Sequence, residues 1–326
     1  MRLLSRPPPV TVPVVAVMPA LVRPLLEPHL PDWVEARWFV SKQEAMALAP
    51  LAEVGWFDMY DKADMAAAIR SATRMRWLNS IFAGVEAMPL AELRQRQIRL
   101  TNGAGINAIT IAEYVLMGML TIAKGYRDVV RAQDRREWLK DSPGKVELFG
   151  SRALVLGHGA IGKLVQARLQ AFGVEVAVVR RTPDAGGQAL ASTDWRPRLG
   201  EFDWVILAVP ATAETDHLIG AAELAAMKPG AVLINVARGT VVDQAALVDA
   251  LRERHLGAAL LDVTDPEPLP PDHPLWSLDN AHITMHLSGR AQSLMFQRSA
   301  DRFLHNLQLY RGGAALQYQV DLVRGY

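Results

Sequence analysis

Residues 151–181 read SRALVLGHGAIGKLVQARLQAFGVEVAVVRR. The stretch opens on an apolar run, residues 153–156, bounded by a glycine, which is the pattern of a buried strand. Gly157-His158-Gly159-Ala160-Ile161-Gly162 follows, a G-x-G-x-x-G. Ile161, Val165, Leu169 and Phe172 then recur at helical spacing until Gly173, and residues 174–179 read as a second strand. Three glycines alone say little. Between a strand and a helix they make a turn suited to a dinucleotide. The first permits the tight bend, the second lets backbone approach a pyrophosphate, and the third lets helix pack on strand. The helix N-terminus adds unpaired N–H groups and the positive end of its dipole. The alternative is a glycine-rich turn that binds nothing.

The tip of the second strand carries the choice between the two nicotinamide dinucleotides. A free ribose 2′-hydroxyl is met by a carboxylate, a 2′-phosphate by arginine. Here stand Arg180, Arg181 and Thr182, with no acid before Asp184 beyond Pro183. Guanidinium forks suit phosphate oxygens, so NADP(H) is favoured over NAD(H). The plainer reading of two arginines there is a solvated surface.

Working outward, residues 14–18, 38–40, 51–57, 77–82 and 98–101 read as strands. Residues 20–26, 42–49 and 64–72 between them read as helices, which together suggest a small parallel α/β layer. Asn102-Gly103-Ala104-Gly105 is a natural joint. Residues 109–138 then read as one long helix, apolar in its first half and charged in its second, so that it runs from a core to a surface, against a partner subunit. Beyond Arg181, residues 183–200 are rich in Gly, Pro and polar residues and carry no clear element. Residues 204–209, 231–236, 258–263 and 282–285 read as strands, with helices at 221–227 and 244–254 and Asp243 as an N-cap. About six strands therefore fall between 151 and 286, as in a doubly wound nucleotide-binding sheet. A last helix, 291–309, leads to a Gly312-Gly313 turn and a tail expected to return to the first domain.

Composition narrows the classes. The chain has 326 residues, enough for two domains, with 50% hydrophobic and 21% charged residues. A net charge of +1 gives no field suited to nucleic acid or an anionic membrane. No membrane span, signal peptide or metal site is read. The absence of cysteine excludes disulfides, thiolate metal sites and Cys nucleophiles and fits a reducing, cytoplasmic setting.

In such a sheet, ligands bind outside the carboxyl ends of the strands. Three polar residues follow strand ends there: Arg238, Glu267 and His286. Reducing a ketone needs a proton for the developing alkoxide, and histidine is the usual donor near neutral pH. A carboxylate beside an imidazole orients the ring and favours its charged form. A guanidinium holds a substrate carboxylate and polarises the carbonyl. Each has a bland alternative: a structural histidine, a solvated loop glutamate, an arginine that serves cofactor phosphates only. Trp56, Phe57 and Tyr60 are candidates for a substrate pocket or for simple packing.

These motifs resemble the D-isomer-specific 2-hydroxyacid dehydrogenases. The likeness covers nearly the whole chain and is densest over residues 147–288. It is carried by Glu147-Leu148-Phe149-Gly150, by the glycine turn, and by Leu207-Ala208-Val209-Pro210 with Thr215-Asp216-His217-Leu218-Ile219. Asn235-Val236-Ala237-Arg238-Gly239 with Val242-Asp243, Leu261-Asp262-Val263 through Glu267-Pro268-Leu269-Pro270, and His286 also match. Asn102-Gly103-Ala104-Gly105-Ile106-Asn107 with Ala112-Glu113 is similar to the family's interdomain crossing.

The resemblance implies an α/β chain of two Rossmann-like domains. A doubly wound parallel cofactor sheet, residues 105–286, is inserted into a smaller flavodoxin-like substrate domain, residues 1–104 and 287–326. It implies hydride transfer from NAD(P)H to C2 of a small 2-oxo acid in a cleft between the domains, with catalytic Arg238 and a Glu267–His286 acid/base pair. Gly157 to Gly162, Arg180, Arg181, Thr182, Val209, Pro210, Thr215, Ala237, Arg238 and Asp262 would hold the cofactor, Asp262 facing the nicotinamide amide. Backbone N–H groups of Ala83 and Gly84, with Arg238 and His286, would hold the substrate. The family implies a homodimer joined through the cofactor domains, and the arginine pair looks like the NADPH-preferring glyoxylate/hydroxypyruvate reductases. Two residues depart from the pattern: Met285 where the family usually has proline, and Glu86 for the usual aspartate. Formate-type relatives pair the histidine with glutamine, so Glu267 argues against them. A dinucleotide-sensing co-repressor on the same fold would keep the triad, but would usually add docking or tail segments not read here.

Overall fold

β1 (Val14–Pro19) reads VVAVMP, and its side chains supply both faces of a sheet. Ala16 and Met18 join one core cluster, with Leu26, Phe303 and Leu307. Val17 joins the other, with Ala45, Met65 and Ile69. The period-2 alternation of a strand thus meets apolar partners on either side, as parallel sheets require. The structure is a computed structural model and describes residues 12–181 and 189–325. Thr182, assigned above to the cofactor, lies outside the described residues.

The chain divides into two units, Met1–Ile106 with Gln292–Tyr326, and Asn107–Ala291. In the first, β2 (Val34–Phe39), β3 (Val54–Gly55), β4 (Trp77–Asn79) and β5 (Arg99–Thr101) join β1 in the order β2-β1-β3-β4-β5. Every pair is parallel, which is the flavodoxin-type order. The chain's end returns to this unit. Helix Gln292–Arg311 brings the Phe303 ring 5.3 Å from Trp56 and 5.1 Å from Trp77. The tail then bridges Thr101 through Gln319.

The second unit holds β6 (Arg152–Leu156), β7 (Glu175–Arg180), β8 (Ala189–Ala191), β9 (Trp204–Leu207), β10 (Val232–Asn235), β11 (Ala258–Leu261) and β12 (Ala281–Ile283). Their order is β12-β11-β10-β9-β6-β7-β8. Counted from β6, this is the doubly wound 3-2-1-4-5-6 arrangement with one more strand at the edge. Leu154, Val205, Leu233 and Ala259 face one core; Val155, Ile206, Ile234 and Leu260 face the other. Helix Ala108–Ala123 lies on the latter face so closely that a Cβ on Gly118 would fall 2.2 Å from Leu260.

Two expectations need correction. Residues 109–138 are not one helix. Helix Ala108–Ala123 and helix Tyr126–Asp134 meet at a 70° bend. Gly125 sits between them at φ +57°, a left-handed conformation that glycine adopts freely. The loop at Pro143-Gly144 packs against it, leaving no room for a side chain. Several strands also stop earlier than read: β4 ends at Asn79, because the next residues turn away into side-chain hydrogen bonds. Of the two readings of Trp56, Phe57 and Tyr60, simple packing holds for Trp56 and Phe57, which are core residues, each 1% exposed, while Tyr60 is exposed. Among the described residues no single helix is long and apolar enough to cross a membrane.

Candidate active site

Leu156, Leu207, Asn235, Leu261 and Ile283 are the last residues of β6, β9, β10, β11 and β12, and they stand side by side in register. All five strands therefore release the chain along one edge. At ~4.8 Å per strand that edge runs roughly 19 Å. The glycine turn, the loop from Ala208, Arg238, Glu267 and His286 all follow it within a few residues.

The glycine turn divides its tasks as the sequence suggests. Gly157 has φ +102°, and a Cβ there would meet Ala208 O at 2.5 Å. Gly162 lies in helix Ala160–Ala171, where a Cβ would fall 1.9 Å from Gly157 O. Gly159 is the helix N-cap and is different: nothing lies within 4 Å of its Cβ position. Its backbone is open to an approaching ligand, at the positive end of a helix. This open cradle fits a dinucleotide pyrophosphate. His158 Nε2 meets Gln166 Oε1 at 2.8 Å, and Ala160 and Ile161 begin the helix. The loop after β9 is pinned by Thr215, whose hydroxyl donates to Pro210 O at 2.7 Å beside Val209. Arg180 ends β7. Arg181 Nη1 lies 3.8 Å from Glu214 Oε2, which links Arg181 to the neighbouring loop.

Arg238 leaves β10 on a turn shaped by buried Asn235. That side chain accepts from Ala237 N (3.0 Å) and donates to Arg238 O (2.9 Å). Arg238 Nη1 donates to Ala237 O at 2.7 Å. Gly239 then passes so close to Thr264 that a Cβ would fall 2.0 Å from its carbonyl oxygen. Thr264 N in turn donates to Glu267 Oε1 (3.1 Å), and Glu267 Oε2 meets His286 Nδ1 at 2.9 Å. Arginine, carboxylate and imidazole are thus linked through consecutive contacts.

The Glu267 and His286 side chains remain 39% and 51% exposed. An ion pair so exposed adds only ~0–1 kcal/mol to stability, so its placement does little for the fold. What holds it is Asp262, 2% exposed. Asp262 Oδ1 accepts from Thr284 Oγ1 (2.8 Å), Leu287 N (2.8 Å) and Ser288 N (3.2 Å). Its backbone oxygen accepts from His286 N at 2.6 Å. The loop needs this grip, because Met285 and His286 both have φ +54°. A non-glycine residue there costs roughly 1–2 kcal/mol. Proline, fixed near φ −65°, could not occupy Met285's conformation. The departure from the family pattern at this position therefore matches the backbone found here.

In the other unit, residues 80–84 follow β4. Phe82 O accepts from Gly103 N (2.8 Å), and Ala83 O from Asn102 Nδ2 (2.7 Å). Among the described residues no group accepts from the N–H of Ala83 or Gly84. Two adjacent open amides suit a carboxylate.

Residues 116–288 match the family described as D-isomer specific 2-hydroxyacid dehydrogenase, NAD binding domain. The chain belongs to the D-isomer specific 2-hydroxyacid dehydrogenase family. It is 31% identical over 261 residues to a glyoxylate reductase of Korarchaeum cryptofilum, covering 76% of each. It is 32% identical over 260 residues to a D-3-phosphoglycerate dehydrogenase of Archaeoglobus fulgidus, covering 78% of this chain but only 49% of that longer protein. Among solved structures it is similar to a D-isomer specific 2-hydroxyacid dehydrogenase from Xanthobacter autotrophicus in complex with NADPH and MES. Identity there is 27%, the TM-score is 0.76, and 97% and 100% of the two chains are covered. As a D-isomer specific 2-hydroxyacid dehydrogenase, the chain is an oxidoreductase with an NAD-binding domain.

Two supporting residues escaped the sequence reading. Gln244 grips both backbone groups of Asp265, donating from Nε2 to its oxygen (2.8 Å) and accepting from its nitrogen (3.1 Å). It thereby anchors the loop that carries Glu267. Asp58, in the first unit, anchors the segment leading to Ala83. Neither stands in a motif, and each was one polar residue among many.

Proposed function

We propose that this chain is an NADPH-preferring reductase of small 2-oxo acids of the glyoxylate/hydroxypyruvate type, giving the D-2-hydroxy acid. The observation that carries the reading is the 2.9 Å His286–Glu267 pair, held on the same sheet edge as the open glycine turn. When bound, the reduced nicotinamide supplies the hydride to C2. The turn at Gly157–Gly162 and the loop through Val209, Pro210 and Thr215 hold the dinucleotide, with Arg180 and Arg181 toward the 2′-phosphate. Asp262 Oδ2, which among the described residues accepts only from Ser288 N at 3.1 Å, is the oxygen suited to face the nicotinamide amide.

Glu267 engages Nδ1 of His286, which leaves Nε2 to deliver the proton to the alkoxide oxygen. Arg238 stabilises the charge that gathers on that oxygen and holds the substrate carboxylate. The amides of Ala83 and Gly84 are themselves suited to a substrate carboxylate. The balance is one 2-oxo acid, one NADPH and one proton to one 2-hydroxy acid and NADP⁺. In this reading the protein is a cytoplasmic homodimer joined through its cofactor units.

The test is a panel of glyoxylate, hydroxypyruvate, pyruvate and bulkier 2-oxo acids, each with NADPH and NADH. The expected result is fastest turnover of glyoxylate and hydroxypyruvate with NADPH. Equal use of NADH would remove the assignment of Arg180 and Arg181, and no turnover of any 2-oxo acid would remove the reading.

A further inference from the structure

The segment that presents the Ala83 and Gly84 amides is not held by its own strand. It is held by Asp58, three residues past the end of β3. Asp58 Oδ2 accepts from Ile81 N at 2.6 Å and from Trp56 Nε1 at 2.7 Å. Asp58 Oδ1 accepts from Ser80 Oγ at 2.7 Å. Ser80 Oγ passes the restraint on by accepting from Phe82 N at 3.1 Å. Lys62 Nζ sits 3.6 Å from the centre of the Phe82 ring. The two amides just before Ala83 are therefore committed to one carboxylate and the serine it fixes, whereas the next two point to no acceptor among the described residues.

The environment agrees with the geometry. Burial pushes the Asp58 carboxyl above the usual carboxylate range, against the Ile81 amide, the Ser80 hydroxyl and the Trp56 indole, which favour its charged form. A desolvated carboxylate facing three donors has few alternative arrangements. A loop pinned this way loses little further freedom when a ligand arrives, which is the physical content of preorganisation.

We propose that Asp58 is a positioning residue that sets substrate affinity, by fixing Ser80 and Ile81 so that the Ala83 and Gly84 amides remain aimed at a substrate carboxylate. The inference rests on the reading of those amides given above. Asp58 touches neither substrate nor cofactor, so its loss acts on the 2-oxo acid and leaves the dinucleotide alone. In Asp58→Ala, KM for glyoxylate rises ~10- to 100-fold, the size expected when a binding group is displaced by about an ångström. KM for NADPH stays within a factor of about two, because the dinucleotide-holding residues lie in the other unit. Asp58→Asn restores most of the affinity, since its oxygen can face Ile81 N and its NH₂ can face Ser80 Oγ. Ser80→Ala keeps the proposal testable if Asp58→Ala does not fold; it raises the same KM several-fold, with NADPH again unmoved.

Gly84→Pro deletes one of the open N–H groups and tests the underlying reading. An unchanged KM for glyoxylate in folded Gly84→Pro overturns the carboxylate assignment, and the role of Asp58 with it. A raised KM in Gly84→Pro beside an unchanged KM in folded Asp58→Ala and Ser80→Ala overturns the role of Asp58 alone. A purely structural Asp58 would lower the melting temperature and the active fraction without moving KM, which also overturns it.

Discussion

Residues of the same type do different work here according to what faces them. Asp61 caps helix Lys62–Ser71 by accepting from Ala63 N and Asp64 N, Asp64 pairs with Lys42, and Asp58 braces a loop. In sequence these three acids look alike, which is why neither the brace nor the cap could be read. His286 was legible because few residue types can deliver a proton near neutral pH, and because it follows a strand end. The loop that places it was not, since its left-handed backbone depends on Asp262, more than twenty residues earlier. The role given to His286 has a direct check. His286→Ala should lower turnover by ~10²–10⁴-fold, the range for losing a general acid. NADPH affinity, measured by fluorescence titration, should change little. Full turnover in the variant would remove His286 from the mechanism.

Elements were legible where the apolar period was unbroken and lost where one residue's conformation overrode it. β6, helix Ala160–Ala171 and β7 stand close to where periodicity puts them. The helical reading from residue 109 onward runs straight through Gly125, so it cannot register a bend that depends on a packed loop near Gly144. β8 escaped because a three-residue edge strand after a polar stretch has no pattern to detect. The glycine turn offers a contrast between two substitutions that look equivalent in sequence. Gly162→Ala would drive a Cβ to within 1.9 Å of Gly157 O, so the helix must move off β6. The expected loss is ~1–3 kcal/mol of stability or more, read as a lower denaturation midpoint. Gly159→Ala meets nothing and should leave that midpoint within ~0.5 kcal/mol of wild type. Its methyl group instead occupies the space open to phosphate, so KM for NADPH should rise at least several-fold. If Gly159→Ala binds NADPH as well as wild type does, the pyrophosphate does not lie on this turn.

At the scale of the molecule, what one chain leaves exposed is informative. Trp138 is 95% exposed, Phe149 78%, Tyr126 56% and Met117 48%. All four belong to the stretch that carries the two bent helices and leads into β6. Scattered apolar residues on a surface need no explanation, but large side chains gathered in one stretch of about thirty residues do. A net charge of +1 gives little repulsion between copies of the chain. A self-complementary contact through this stretch would bury these groups twice over, as two-fold symmetry dictates. That is the homodimer proposed here, and it can be tested without reference to catalysis. Sedimentation equilibrium at micromolar concentration should return twice the chain mass of 35.8 kDa. Met117→Glu combined with Tyr126→Glu should return the single-chain mass, because a desolvated carboxylate without a partner is costly. Both positions are exposed in the single chain, so the folded unit itself should survive, with circular dichroism unchanged. A wild-type mass of one chain at every concentration would overturn the dimer, and a variant still at twice that mass would move the contact elsewhere.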